Sequence, residues 1–418
     1  MINRTLAQAD PQMAEILGAE LNRQQETLML IPSENYASRA VMAAAGSVFT
    51  NKYAEGYPGN RYYNGCKFYD QMEQLCIDRA KKLFGADHAN VQLHTGSQAN
   101  MAAYHALIKP GDRILAMSVA QGGHLTHGAP VNFSGQMYQP HFYSVSRENG
   151  WLDYDEIAQI AREVKPRLIV AGASAYPRII DFERFRAIAD EVGAYVVSDI
   201  AHIAGLVAAK CHPDPIPFSD VVTTTTHKTL RGPRGALILC KSEYASAIDR
   251  AVFPGVQAGP LMHIIAAKAV ALHEAEQVGF HEYQHQIISN AQALAQSLLE
   301  EGFDLITGGT DNHLMLVDLR NKNISGHEAA DLCEQANMVV NFNLIPYDPR
   351  PPRETSGIRP GTPGITTRGM KEAEAALIGK LLARVINDAP TNPAVLDEVR
   401  AQVLELCHSF PIYADLEI

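Results

Sequence analysis

No apolar run in this 418-residue chain approaches the roughly 20 residues a transmembrane helix needs. The longest, such as 200–209, are short and interrupted by polar residues. Met1 to Asp10 lacks a basic start followed by an apolar core, so no secretory leader is expected. CxxC pairs are absent too. Cys66, Cys76, Cys211, Cys240, Cys333 and Cys407 are scattered, which fits reduced thiols in a cytoplasmic protein. There is no basic excess: 35 Lys and Arg face 46 Asp and Glu, a net charge of -11. That balance favours solubility and argues against a general nucleic-acid binder. Neither GxGxxG after a strand nor GxxxxGK[ST] occurs, which disfavours dinucleotide and P-loop enzymes. One metal motif is a decoy. His281-Glu282-Tyr283-Gln284-His285 fits HExxH, but it sits in a polar helical stretch without a suitably spaced third ligand, so no metal site is expected.

What is present reads as globular: 46% of residues are hydrophobic and 19% charged. A chain this long exceeds what one core usually serves, so two domains are expected. Asp10 can cap a helix with Pro11 at its first position and Met13, Ile16, Leu17 and Leu21 on one face; this arm ends at Ile31-Pro32-Ser33. Helices are then predicted over Asp70–Phe84, closed by Gly85, over Tyr154–Val164, and through Phe182, Phe185, Ile188, Ala189 and Val192. They alternate with β-rich runs at 113–117, 167–172, 195–200, 220–226 and 236–240. That order implies a mostly parallel sheet covered on both faces. Residues 260–301 read as mainly helical. The remainder changes character, with strands at 314–319 and 338–341, a helix at 326–337 and two closing helices. The expected division is an arm and helix over 1–50, a large domain over 51–275 and a small α+β domain over 276–418.

A chemical constellation gathers at strand ends. Asp199 lies at the carboxyl end of a predicted strand, where ligands of open α/β sheets collect, and His202 follows it. The run Thr223-Thr224-Thr225-Thr226 delivers His227-Lys228, then a basic turn through Arg231 and Arg234. His94-Thr95-Gly96-Ser97 opens a helix whose free N–H groups suit a phosphate. Each piece alone is weak, since a loop lysine is usually solvated and an Asp after a strand is often a cap. Together they supply what pyridoxal phosphate requires: a lysine for the Schiff base, a carboxylate for the pyridine nitrogen and a phosphate cradle. His124 in Gly122-Gly123-His124 suits stacking on the ring, and Arg359 offers a bidentate fork for an amino-acid carboxylate.

These residues lie in long, specific stretches. Thr50–Pro58 (TNKYAEGYP), Gly122–Gly128 (GGHLTHG), Ala173–Asp181 (ASAYPRIID), Asp199–Ala208 (DIAHIAGLVA), Thr223–Gly235 (TTTTHKTLRGPRG) and Ser356–Gly369 all match, in order. Through them the chain resembles the serine hydroxymethyltransferase family over nearly its whole length. The resemblance implies an α/β, fold-type I pyridoxal-phosphate-dependent transferase, with a mostly parallel seven-stranded-type sheet in a large domain. It implies a homodimer or dimer of dimers with shared active sites, acting on an amino acid and folate, with neither nucleic acid nor membrane as a partner. Pyridoxal 5'-phosphate would be the cofactor and tetrahydrofolate the cosubstrate. Carried over residue by residue, Lys228 would hold the cofactor, Asp199 would pair with the pyridine nitrogen and His124 would stack on the ring. Gly96 and Ser97 would bind phosphate, with Tyr53 and Gly259 arriving from the neighbouring subunit. Ser174, His202, Thr225 and His227 would line the cofactor. Ser33, His202 and Arg359 would hold the substrate carboxylate, with Tyr63 nearby. Glu55 would move a proton near the substrate hydroxyl. Glu55, Tyr62, Val119, Gly123, His124, Leu125 and Asn343 fall where the family binds folate. The implied reaction interconverts serine and glycine through a carbanion at Cα.

The chain also departs from the family's usual residues. Pro32, Asn64, Leu93, Thr95, Gln121, Ser198, Ala236, Ala258, Phe342, Leu344, Pro360 and Gly364 stand where other residues are common. Most flank the expected cofactor, carboxylate or folate contacts. Pro360 disfavours the α conformation at Arg359 and removes an N–H. Three readings follow: the ordinary folate-dependent enzyme, a relative acting on α-methylserine or cleaving 3-hydroxy amino acids without folate, and a catalytically dead scaffold or RNA-binding relative. The intact Lys228, Asp199, His124 and Arg359 argue against the last.

Overall fold

The structure, a computed structural model, describes residues 4–416. Its centre is a seven-stranded sheet: β1 (His88–Asn90), β2 (Arg113–Met117), β3 (Gln139–Tyr143), β4 (Leu168–Gly172), β5 (Tyr195–Asp199), β6 (Val221–Thr225) and β7 (Ala236–Cys240), in the order β1-β7-β6-β5-β4-β2-β3. All neighbours from β6 to β3 are parallel, and β7 runs against both β6 and β1. Strands β4, β6 and β7 are buried at every residue, as their continuous apolar or threonine-rich runs require. Alternate side chains feed opposite faces. Along β2, Ile114 and Ala116 join one apolar cluster, while Leu115 and Met117 join the other.

Helix ends follow local chemistry. Asp153 caps α4 (Tyr154–Val164) through the N–H groups of Asp155 and Glu156, and Asp181 caps α5 (Phe182–Val192) through that of Arg184. Gly85 and Gly193, both left-handed, close α2 (Lys67–Phe84) and α5. Helix α3 (Gly96–Leu107) covers one sheet face; α2, α5 and α6 (Met262–Ala275) cover the other.

Helix α7 (Val278–Glu300) links two cores. Its Phe280, Tyr283 and Ile287 pack beneath the large sheet, while Ala291, Leu294 and Leu298 pack in a separate cluster. That second cluster lies under a four-stranded antiparallel sheet formed by β8 (Asp304–Leu305), β9 (Val317–Asp318), β10 (Asn341–Asn343) and β11 (Gly357–Arg359), in the order β8-β9-β11-β10. Helices α8 (Gly326–Gln335), α9 (Glu372–Asp388) and α10 (Ala394–Ser409) complete it.

Three expectations change in detail, the first being that the strand expected at 314–319 contracts to Val317–Asp318. The strand expected at 338–341 is divided, because Met338–Val339 pairs with Leu28–Met29 and the chain then changes partner, so that Asn341–Asn343 pairs with Gly357–Arg359. The arm helix, α1 (Pro11–Glu26), stops before Thr27 rather than reaching Pro32, since Leu28 and Leu30 leave it to join the second core. Asp10 caps it as expected. Its apolar residues Met13, Ile16 and Leu17 remain exposed on the single chain. The HExxH run lies on α7 with Tyr283 buried and His285 exposed; no group of three or more metal-ligating side chains forms among the described residues. No helix among them is long and apolar enough to cross a membrane.

Candidate active site

Strand ends of both sheets converge on one cavity of about 540 Å³. Asp199 terminates β5, Thr225 terminates β6 with Lys228 just beyond it, Gly96 and Ser97 open α3, and Arg359 terminates β11. Ser33, His124, Ser174, His202 and His227 complete the wall from the expected set. Glu34, Asn100, His127 and Arg234 also line it. Such a gathering at carboxyl ends is what a parallel sheet with a topological switch provides.

Asp199 is the best-held group. Its Oδ2 accepts from Asn100 Nδ2 at 2.8 Å and from His127 Nε2 at 3.1 Å, and its Oδ1 accepts from the Ala201 N–H at 3.1 Å. His127 can donate there because its Nδ1 already accepts the His124 N–H. Burial opposes the charge on Asp199, but the His127 bond, the His127 and His124 imidazoles and the Asn100 amide outweigh it and hold the carboxyl well below the usual carboxylate range. Asn100 is anchored in turn, accepting from Thr223 Oγ1 at 2.6 Å and donating to Thr126 Oγ1 at 2.7 Å.

Lys228 is 9% exposed. Burial lowers its ammonium to about 8 despite Asp199, with Arg359 and Arg234 adding to the effect. A free amine is therefore available near neutrality, as a Schiff-base lysine requires. The arm fixes the loop that carries it: Asn35 Nδ2 donates to the Lys228 carbonyl at 3.0 Å, and Asn35 Oδ1 accepts from Thr367 Oγ1.

His124 accepts the Thr126 N–H at Nδ1, and burial lowers its pKa to about 4, so the ring is neutral. Arg359 donates through Nη1 to the Ser174 carbonyl, while Nε and Nη2 reach Asn341 Oδ1 only at 3.4 Å. Those long contacts leave one edge of the guanidinium fork for an anion.

The cradle fits a phosphorylated cofactor. Thr95 caps α3 through the Gln98 N–H and accepts the Ala99 N–H at its carbonyl, leaving the Gly96 and Ser97 N–H groups without intrahelical partners at the cavity. A side chain at Gly96 would meet the Thr225 methyl at 2.8 Å, so the close approach requires glycine. His227 Nδ1 is buried in the same wall without a partner.

The other expected residues lie outside this wall. Tyr53, Tyr62 and Tyr63 are exposed, Tyr53 stacks on Tyr63 at 5.4 Å, and Gly259 lies against the Tyr53 ring with Glu55 beside it. Val119 and Leu125 are exposed, and Gly123 is buried against Met117 and Ser118. Asn343 sits on β10 with its amide turned to the Leu344 carbonyl.

Two departures from the family residues sit where neighbouring segments approach closely. A Cβ at Gly361 would lie 2.4 Å from the Pro32 Cβ, and one at Gly364 would lie 2.8 Å from the Met29 carbonyl oxygen. The 29–32 and 360–364 segments thus interlock beside Ser33 and Arg359. Ser198 is satisfied by Ser219 Oγ at 2.7 Å.

Asn100 and His127 hold Asp199 without standing out as motif residues: Asn100 lies on the helix opened by Gly96 and Ser97, and His127 lies inside the Gly122–Gly128 stretch. The signal was spacing: His127 follows His124 by three residues across a tight turn. His313 was legible from nothing local; it meets His202 only through the fold.

The family model for serine hydroxymethyltransferase matches residues 6–382. With a lysine, a carboxylate and a phosphate cradle on one cavity, the chain belongs to the serine hydroxymethyltransferase family of pyridoxal-phosphate-dependent enzymes.

Proposed function

We propose that this protein interconverts L-serine and glycine, with tetrahydrofolate as the one-carbon carrier. The observation that carries this is that Lys228, Asp199 and Arg359 line one cavity. Pyridoxal phosphate bound there supplies an electron sink for the bond broken at Cα. The residues do the rest. Lys228 supplies the amine, and Asp199 stays anionic to hold a protonated pyridine nitrogen. Gly96 and Ser97 receive phosphate. His124, kept neutral, would pack on the cofactor ring, and Ser174, Thr225 and His227 would line its pocket. Arg359, Ser33 and His202 orient the substrate carboxylate.

The remaining roles belong to a second copy. Tyr53, Tyr62 and Tyr63 are exposed, with half-buried Glu55 and Gly259 beside the Tyr53 ring, and this aromatic surface is the material of an interface. We assign Glu55 the proton-transfer role and Tyr62, Val119, Gly123, Leu125 and Asn343 the folate contacts, in a homodimer or dimer of dimers. The division at 275/276 makes 51–275 the cofactor-holding part and 276–418 the part supplying Arg359.

A second reading has its own support. The interlocked Pro32–Gly361 and Met29–Gly364 contacts back the carboxylate wall, so a relative using α-methylserine and D-alanine, or a folate-free 3-hydroxy-amino-acid aldolase, is the alternative. Turnover of L-serine, α-methyl-L-serine, L-threonine and phenylserine, each with and without tetrahydrofolate, separates them. Folate-dependent serine cleavage as the fastest reaction is expected. Inert serine beside rapid folate-free cleavage of another substrate would overturn the first reading.

A further inference from the structure

His313 is wholly buried and does not line the cavity, yet its ring lies 5.5 Å from that of His202, centroid to centroid. Its Nε2 is 3.2 Å from His202 Nδ1. Burial, then the Lys228 and Arg359 charges, hold both imidazoles below their ordinary range, His313 at about 3. Both rings are therefore neutral near pH 7, and one proton lies between them.

That proton has two possible owners. If His202 Nδ1 donates, His313 must carry its own proton on Nδ1. That atom is buried without a hydrogen-bond partner, so the arrangement strands an N–H. If His313 Nε2 donates, Nδ1 is a bare lone pair instead. A buried unpaired N–H is the rarer and costlier orphan. The second arrangement puts the His202 proton on Nε2. This nitrogen has no protein partner among the described residues, on a side chain that lines the cavity with Lys228 and Arg359.

We infer that His313 is a positioning residue: it donates to His202 Nδ1 and so fixes His202 as an Nε2–H donor to the substrate carboxylate. His313 is itself held by the segment that follows Arg359, because its carbonyl accepts the Thr362 N–H at 3.0 Å. One stretch of chain thereby sets both carboxylate-binding groups. The inference rests on the proposal that His202 and Arg359 face the substrate carboxylate.

Two measurements on the holoenzyme test it. The first is the nitrogen-15 spectrum of histidine-labelled protein, with His202 and His313 assigned by substitution. Pyrrole-type signals are expected for His202 Nε2 and His313 Nε2, and pyridine-type signals for both Nδ1 atoms. A pyrrole-type His202 Nδ1 would overturn the inference whatever the enzyme's substrate proves to be. The second compares His313→Phe with His313→Gln, which retains a donor. His313→Phe is expected to raise the amino-acid KM about tenfold while kcat and the cofactor absorbance hold within about twofold. His313→Gln is expected to restore most of that loss. An unchanged KM in His313→Phe, or a Gln variant no better than Phe, contradicts it. If wild-type protein turns over no amino acid, the functional proposal fails, and the spectrum still decides the tautomer.

Discussion

The cavity and the surface around residues 48–68 are opposites in construction. In the cavity, most polar groups are buried or half-buried, and the central ones are held: Asp199 has three donors, and Asn100 ties β6 to His124 through Thr126. On the surface, Val48 is 77% exposed, Tyr62 76% and Phe68 65%, with Tyr53 and Tyr63 stacked on each other. A single chain finishes the first region and leaves the second unfinished. Exposed apolar groups of this density mark contact with another molecule. The apolar face of α1 is bare in the same way. The contrast supports the proposal that one chain builds most of the cofactor wall, whereas Glu55 and the edge of the site formed by Tyr53 and Gly259 come from a second copy.

Substitutions can break that contrast, and the largest effects belong to the cavity. Lys228→Ala is expected to abolish the internal imine absorbance and cut turnover roughly a thousandfold or more, seen by spectrum and assay. Asp199→Asn, which keeps shape and removes charge, is expected to lower kcat roughly a hundredfold while the protein still binds cofactor. Asn100→Ala removes one of three donors to that carboxylate; a loss of about tenfold in cofactor affinity is expected by titration. The exposed surface should respond differently. Tyr62→Ser combined with Phe68→Ser is expected to leave the melting temperature near wild type and to weaken self-association by roughly tenfold or more, read by sedimentation at several dilutions.

The smallest effect gauges how dry the buried side is. His212 accepts the Ile180 N–H at Nε2 and donates from Nδ1 to the Pro213 carbonyl. Burial lowers its pKa from 6.5 to about 4. Between those values the unfolded chain binds the proton that the folded one refuses, so stability falls as pH drops from 6.5 towards 4 and is level above 6.5 on this account. This one side chain would withdraw up to about 3 kcal/mol. Thermal melts across that range in wild type and His212→Asn check it; the variant should show the shallower dependence.

Much of the large sheet was legible because its signals are local. Arg113–Met117, Tyr154–Val164 and Ala236–Cys240 have the expected limits, each bounded by turn or cap chemistry that needs no tertiary contact. Strand β1 escaped notice because His88–Asn90 is three residues long and half-polar, and it earns its place only by pairing with Ile238–Cys240. Leu28 and Leu30 looked like the end of the arm helix; their burial against residues far along the chain draws them out of it. In the cavity, residues with distinctive chemistry, such as Lys228, Asp199 and Arg359, stood out. Asn100, His127 and His313 act through other side chains, and such roles are written in distances, which sequence spacing does not encode.

The measurement that bears most directly on the two-region account is complementation. Lys228→Ala and Glu55→Gln chains are each expected to be nearly inactive in serine cleavage with tetrahydrofolate. Co-expressed, they would form mixed dimers in which one site has an intact Lys228 from one chain and an intact Glu55 from the other. Random pairing predicts recovery of about a quarter of wild-type turnover. Recovery no greater than the sum of the two variants alone would contradict the claim that the exposed surface of one chain completes the cavity of another.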